Sequence, residues 1–239
     1  MADQDLALQA TEIRKTFGHN AALVDFSLHV RRGEFVTLFG RNGAGKTTFL
    51  KIAATLMRAT KGELRVNGFS VAEQPEKARA TIGFLSHTTS VYRDLSAAEN
   101  LRFFARLYDV RDAETRIPQI LERVGLKRRS NDAVRSFSRG LHQRVGIARV
   151  LLHNPSLLLL DEPYTGLDAQ ASAILDQLLD ERMKAGGTVL LTTHDLEQGL
   201  RAANRAVILD RGKLVFAGDA RGSDVRSAYN EFVRIGVSR

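Results

Sequence analysis

Val36-Thr37-Leu38-Phe39-Gly40-Arg41-Asn42-Gly43-Ala44-Gly45-Lys46-Thr47-Thr48 is the stretch on which the fold turns. Phe35 to Phe39 reads as a short buried strand, and Phe49, Leu50, Ile52 and Ala53 read as the apolar side of a helix. Between them lies a glycine loop that ends in Lys-Thr, which is the P-loop pattern in its required context of strand, loop and helix. Each residue type has a chemical reason. Glycines let backbone N–H groups turn inward around phosphate oxygens. The helix N-terminus adds partial positive charge. Lys46 supplies a cation for the β- and γ-phosphates, and the Thr47 hydroxyl is a ligand for Mg²⁺. The stretch predicts that a nucleoside triphosphate binds here.

Composition narrows the rest. The chain has 239 residues, enough for an α/β fold with a sizeable core. It contains no cysteine, which excludes disulfides, thiol catalysis and thiolate metal sites. Met1 to Gln9 carries acids and has no signal-peptide pattern. No apolar run approaches the roughly 20 residues of a membrane helix. The net charge of +8 is compatible with nucleic acid, an anionic membrane surface or a solvated basic surface. Arg and Lys are scattered along the chain rather than gathered in a block.

Outward from the loop, residues 6–15 and 22–30 read as strands. In the second, Leu23, Asp25, Ser27 and His29 alternate with Val24, Phe26, Leu28 and Val30. Phe17, between them, either packs in the core or offers a flat ring to a base; the residues alone favour the core. Asn67-Gly68 between short apolar stretches signals a hairpin. Ile82 to Leu85 is a further strand. Residues 95–155 change character: helical periodicity over Ala97 to Tyr108 and Arg116 to Val124, then Ser136-Phe137-Ser138-Arg139-Gly140 preceding a helix that runs to about His153. Strands resume at Leu157 to Leu160, Thr188 to Thr192, Ala206 to Leu209 and Leu214 to Ala217, with a helix over Ala169 to Met183 and a helical tail over Val225 to Ile235.

Two more constellations bear on chemistry. Asp161-Glu162 puts two carboxylates just past a buried strand, where ligands of a parallel sheet lie. Asp161 is placed to reach Mg²⁺. Glu162 points elsewhere and is placed to polarise the water that attacks the γ-phosphate. His194 ends another strand of the same sheet and is a hydrogen-bond donor for that phosphate. Ser138-Arg139-Gly140 has the look of an anion site at a helix start, yet sits in the helical segment, away from the loop. A second copy meeting the first head to tail would bring a phosphate to it.

Together these residues resemble the ATP-binding subunits of ABC transporters, from Phe17 to about Gly218. Gly40 to Thr48 is similar to Walker A, and Leu160-Asp161-Glu162-Pro163 to Walker B with its catalytic Glu. Phe137-Ser138-Arg139-Gly140-Leu141 sits at the family signature, Gly166-Leu167-Asp168 at the D-loop and Thr193-His194-Asp195 at the switch histidine. Phe17 falls where the family stacks an aromatic ring on adenine. The resemblance implies a P-loop NTPase core of α/β class, an N-terminal antiparallel β-subdomain, and a helical subdomain inserted at about 88–153 of one domain spanning 1–239. It implies ATP and Mg²⁺ as ligands, with Phe17, Gly40, Arg41, Asn42, Gly43, Ala44, Gly45, Lys46, Thr47 and Thr48 holding nucleotide. Ser138, Gly140 and Asp168 would serve a partner copy's nucleotide. It further implies a homodimer, a separate integral-membrane permease, a peripheral place for this chain at the cytoplasmic face of the cell membrane, and no nucleic acid partner.

The chain departs from the family pattern twice. Arg139 replaces the first glycine of Leu-Ser-Gly-Gly-Gln, and His87 stands at the usual Gln of the Q-loop. A neutral His87 is expected to accept a hydrogen bond from water at the nucleotide and so couple it to the permease. His87 and the run Leu95-Ser96-Ala97-Ala98-Glu99-Asn100-Leu101 resemble the haem-exporter ATPase of cytochrome c maturation. Haem export is therefore the first expectation; export of another substrate, of multidrug or lipid type, is the alternative. A soluble ABC ATPase acting on ribosomes or DNA, and a monomeric kinase-like enzyme, are the remaining readings. The single cassette, the lack of sustained heptads and the Ser138–Gly140 site speak against both.

Overall fold

A computed structural model describes residues 5–86 and 90–234. The glycine-loop strand β3 (Phe35–Phe39) lies inside a six-stranded sheet, buried along its whole length. Counting strands β1 (Leu6–Phe17), β2 (Asn20–Arg31), β4 (Lys61–Val66), β5 (Phe69–Ser70), β6 (Ile82–Leu85), β7 (Leu157–Asp161), β8 (Thr188–Thr193), β9 (Arg205–Asp210) and β10 (Lys213–Asp219), the order is β10-β9-β3-β8-β7-β6. All neighbours are parallel except the β9–β10 hairpin. Strands covered on both faces read as unbroken apolar runs. In β7, Leu157 and Leu159 face one core, with Phe26, Phe49 and Leu190, while Leu158 and Leu160 face the other, with Leu101, Val145 and Leu175. The side-chain period of two splits one Leu run between two layers.

The first of those cores is closed by an antiparallel sheet of order β2-β1-β4-β5 and by helix α1 (Lys46–Ala53). Asn67-Gly68 makes the β4–β5 hairpin, with both residues at positive φ (51° and 85°). The alternation expected in β2 holds only from Asp25 onward. Phe26, Leu28 and Val30 are buried, but so is Leu23, on the other side of the pleat. Asp25 (φ 49°) and Glu12 (φ 49°) in β1 are left-handed, and the β1–β2 register shifts around Ile13. This irregularity turns Leu23 inward and both strands then run longer than their apolar pattern. Phe17 ends β1 with 49% of its surface exposed and Lys15 Nζ 5.0 Å from its ring centre, which corrects the core placement.

Between the adjacent strands β6 and β7 the chain detours through α2 (Ala97–Leu107), α3 (Ala113–Arg123) and α4 (Arg139–Leu151); a shorter helix (Pro75–Ala80) precedes β6. Ser96 and Glu99 form a capping box at the start of α2. Asn100 is fully buried and ties the loop before α2 together through the Tyr92 backbone (2.8 and 2.9 Å) and the Ser96 carbonyl (2.9 Å). Leu101 is core. Ser96, Glu99, Asn100 and Leu101, four residues of the run that carried the haem-exporter likeness, thus each have a structural task.

β6 is an edge strand, and its outward carbonyls need partners. Arg149 Nη2 donates to Phe84 O and His153 Nε2 to Ile82 O, each at 3.0 Å. The His153 ring stacks on Tyr108 (4.3 Å), and the Arg149 guanidinium lies over Phe104 (5.1 Å). Burial, with Arg149, Arg116 and Arg182 nearby, pushes the His153 pKa below its usual value. The unfolded chain then takes up this proton before the folded one does. The contribution is complete above the unfolded pKa, about 6.5, and is lost as pH falls below it. We expect the wild type to lose more melting temperature than His153→Gln between about pH 7.5 and pH 5.5. Gln keeps an N–H donor for Ile82 but does not titrate. Equal losses by thermal denaturation would mean that His153 does not set this slope.

Candidate functional site

Three strand ends converge. β3 ends at Phe39 beside Thr193 of β8, and β8 lies between β3 and β7, whose last residue is Asp161. The loop after β3 closes because Gly43 (φ 82°) and Gly45 (φ 111°) take backbone angles that other residues avoid. A Cβ on Gly45 would also sit 2.5 Å from the Ala22 carbonyl oxygen. α1 begins at Lys46 with no side-chain cap, so its first N–H groups are left for an anion. The loop encloses a cavity of about 200 Å³ lined by Arg41, Asn42, Gly43, Gly45, Lys46, Thr47, Thr48, Ala22 and Glu162. Ala44 is buried at the back of the loop, its carbonyl bonded to Gly212 N (2.9 Å).

Lys46 is only 6% exposed. Its ammonium donates to Gly40 O (2.6 Å) and Arg41 O (3.3 Å) and lies 3.5 Å from Glu162 Oε1. Desolvation pulls its pKa below the ordinary lysine value, against the pull of Glu162 and Asp161. Asp161, 1% exposed, accepts from Thr47 Oγ1 (3.0 Å) and Thr192 Oγ1 (2.8 Å). Glu162 is left-handed (φ 49°), an uncommon choice for a residue with a side chain. Its N–H is held by Thr192 O (3.0 Å). The turn leaves Asp161 in the strand and carries the Glu162 carboxylate to the loop cavity, where Oε2 meets His194 Nδ1 at 3.0 Å. His194 is 59% exposed. Glu162 therefore stands between a cation and an imidazole at the cavity.

Hard oxygen donors fit Mg²⁺. The Thr47 hydroxyl gives its proton to Asp161 and keeps lone pairs for a cation. Among the described residues no group of three or more His, Cys, Asp or Glu could hold a metal. Mg²⁺ needs none, because it takes one or two protein ligands and completes its shell with water and phosphate.

The remaining predicted residues lie apart from this cavity. Ser138 caps α4 and is exposed, accepting from Leu141 N at 3.4 Å. Gly140 faces the D-loop side: a Cβ there would lie 3.8 Å from Asp168 Oδ2. Asp168 caps the helix α5 (Ala169–Lys184) through Ala171 N (2.7 Å) and pairs with Arg144 (3.5 Å). The Arg139 side chain covers Gly166, where a Cβ would meet its Nε at 2.4 Å. His87 lies outside the described residues. Sequence reading missed Thr192, which clamps both Asp161 and Glu162. Its signal was faint: a polar residue in an apolar strand, two places before His194.

A largely parallel sheet with a phosphate loop at its C-terminal edge and two carboxylates at the end of the next strand but one defines a P-loop nucleoside triphosphatase. Residues 23–165 match the family model described as ABC transporter, and the chain belongs to that family as an ATP-binding subunit and ATPase. It is 36% identical to the Nod factor export ATP-binding protein I of Cupriavidus pinatubonensis, over 94% of this chain and 72% of that protein. It is 35% identical to the ABC transporter ATP-binding protein NatA of Bacillus subtilis, covering 82% and 81%. The daunorubicin resistance ATP-binding protein DrrA3 of Streptomyces coeruleorubidus is also 35% identical, covering 92% and 70%. Among solved structures, an ATP-binding subunit of an ABC transporter superposes with TM-score 0.85 at 32% identity, covering 95% and 94%. A dimeric ATP-binding cassette in a post-hydrolysis state with ADP and Pi gives 0.83 at 28%, covering 90% and 99%.

Proposed function

We propose that the chain is the motor subunit of an export transporter. Two copies close head to tail over two nucleotides and drive a permease carried on a separate chain, at the cytoplasmic face of the membrane. Lys46 and the loop N–H groups bind the phosphates, and Phe17 stacks on the base. Glu162 takes the proton of the attacking water, and His194 holds Glu162 and the γ-phosphate in register. Thr47 and Asp161 hold Mg²⁺, which when bound neutralises charge on the phosphates. The observation that carries this reading is the Lys46–Glu162–His194 chain at the mouth of the glycine-loop cavity. Neither Ser138 nor Gly140 lines that cavity, which supports the second copy; within one chain Gly140 faces Asp168 instead.

For the substrate, the relatives named above favour the alternative over haem. One is named for Nod factor export and one for daunorubicin resistance. The Glu-Asn-Leu run, which pointed to haem, is accounted for by the capping box and the buried Asn100. Cells lacking this chain should therefore keep their c-type cytochromes, as read by haem staining, and become more sensitive to an amphiphilic compound. Loss of c-type cytochromes, restored by the wild-type chain and not by Glu162→Gln, would return the reading to haem.

A further inference from the structure

The chain after β10 is not idle. Helix α7 (Asp224–Tyr229) runs into a π-turn (Asn230–Arg234), and the two return to the histidine that ends β8. The Tyr229 hydroxyl donates to the main-chain carbonyl of His194. The Tyr229 ring meets Phe39 edge to face, with centroids 5.7 Å apart at 87°. Phe39 is fully buried and is the residue before Gly40. Arg226 grips Glu197 with both guanidinium arms, at 2.5 and 3.3 Å. Glu197 belongs to α6 (Leu196–Leu200), which starts two residues after His194. α6 in turn is pressed on Phe39: a Cβ on Gly199 would lie 2.5 Å from that ring. The Tyr229 and Arg226 side chains line an open cavity of about 800 Å³ together with Arg41, Asn42, His194 and Glu197.

We propose that Tyr229 is a positioning residue for His194. The His194 imidazole is well exposed and meets Glu162 through one ring nitrogen. That one contact leaves the rest of the exposed ring without packing around it. The main-chain carbonyl is fixed from outside, by a hydroxyl on an element 35 residues further on. Tyr229 holds the peptide plane after His194, and Arg226–Glu197 holds the two short helices that meet there. The effect is to keep the imidazole within hydrogen-bond reach of the Glu162 carboxylate, where small displacements are costly to rate. The inference rests on the role given above to His194.

Tyr229→Phe removes the hydroxyl and keeps the ring against Phe39. In the full chain it should lower kcat for ATP hydrolysis about five- to tenfold, the scale of one lost neutral hydrogen bond. KM for ATP and the melting temperature should stay near wild type. The decisive comparison is the double variant with His194→Ala. If Tyr229 acts through His194, Tyr229→Phe has no further effect in that background. An unchanged kcat in Tyr229→Phe, or the same fold-loss with and without His194, overturns the proposal. A normal rate in His194→Ala alone would instead remove His194 from catalysis, and Tyr229's route with it. A large fall in melting temperature would assign Tyr229 to stability and equally overturn it.

Discussion

Glu162→Gln is expected to reduce ATP hydrolysis by roughly 10²-fold or more while leaving ATP bound, the scale of a lost general base. The change keeps the shape of the side chain and the contact to His194, since an amide oxygen also accepts a hydrogen bond. It removes the basicity, and it removes the counter-charge 3.5 Å from Lys46. Lys46 then has only the Gly40 and Arg41 carbonyls as partners and should welcome phosphate at least as well as before. Nucleotide affinity and turnover therefore separate. Equilibrium binding of a fluorescent ATP analogue and phosphate release, measured on the same preparation, check both halves. Turnover near wild type would take the proton-accepting role away from Glu162.

Lys46→Ala should act on the other half. Without the ammonium, two loop carbonyls and the Glu162 carboxylate lose their shared cation, and an incoming phosphate meets Glu162 without screening. A hydrogen bond to a charged group contributes about 1.5–3 kcal/mol, so ATP should bind roughly 10- to 150-fold more weakly. Hydrolysis falls with it. The affinity is read by titration calorimetry. Wild-type affinity in this variant would mean that the backbone N–H groups alone hold the phosphates.

The site was legible where chemistry forces a local pattern. A glycine loop between a buried strand and a helix admits few other readings, and Leu157 to Leu160 announced a strand covered on both faces before Asp161 and Glu162. The parallel order of β3, β8 and β7 then brings Gly40, Asp161 and His194 to one edge. The sequence was silent where the answer depends on distant partners. Leu23 is turned inward by the left-handed Asp25 and an irregular register, and nothing in the alternation announces that. Phe17 is exposed because β1 ends there, not because its own neighbours are polar. The helical tail over Val225 to Ile235 gave no sign of what Tyr229 does, since its partner is a backbone carbonyl of another element. The haem-exporter likeness is weakened for a related reason: Ser96, Glu99 and Asn100 cap and fasten a helix, a task that says nothing about cargo.

In the proposed dimer one chain holds half of each nucleotide site and a second copy supplies Ser138, Gly140 and Asp168. Light scattering of Glu162→Gln with and without ATP tests it most directly. The account predicts a mass near the 26.4 kDa of one chain without nucleotide and about twice that with ATP. Ser138→Arg in the same background should stay at the lower mass, because bulk and charge would face the partner's phosphates. An unchanged mass on adding saturating ATP to Glu162→Gln, or a doubling that Ser138→Arg leaves intact, would contradict the head-to-tail sandwich.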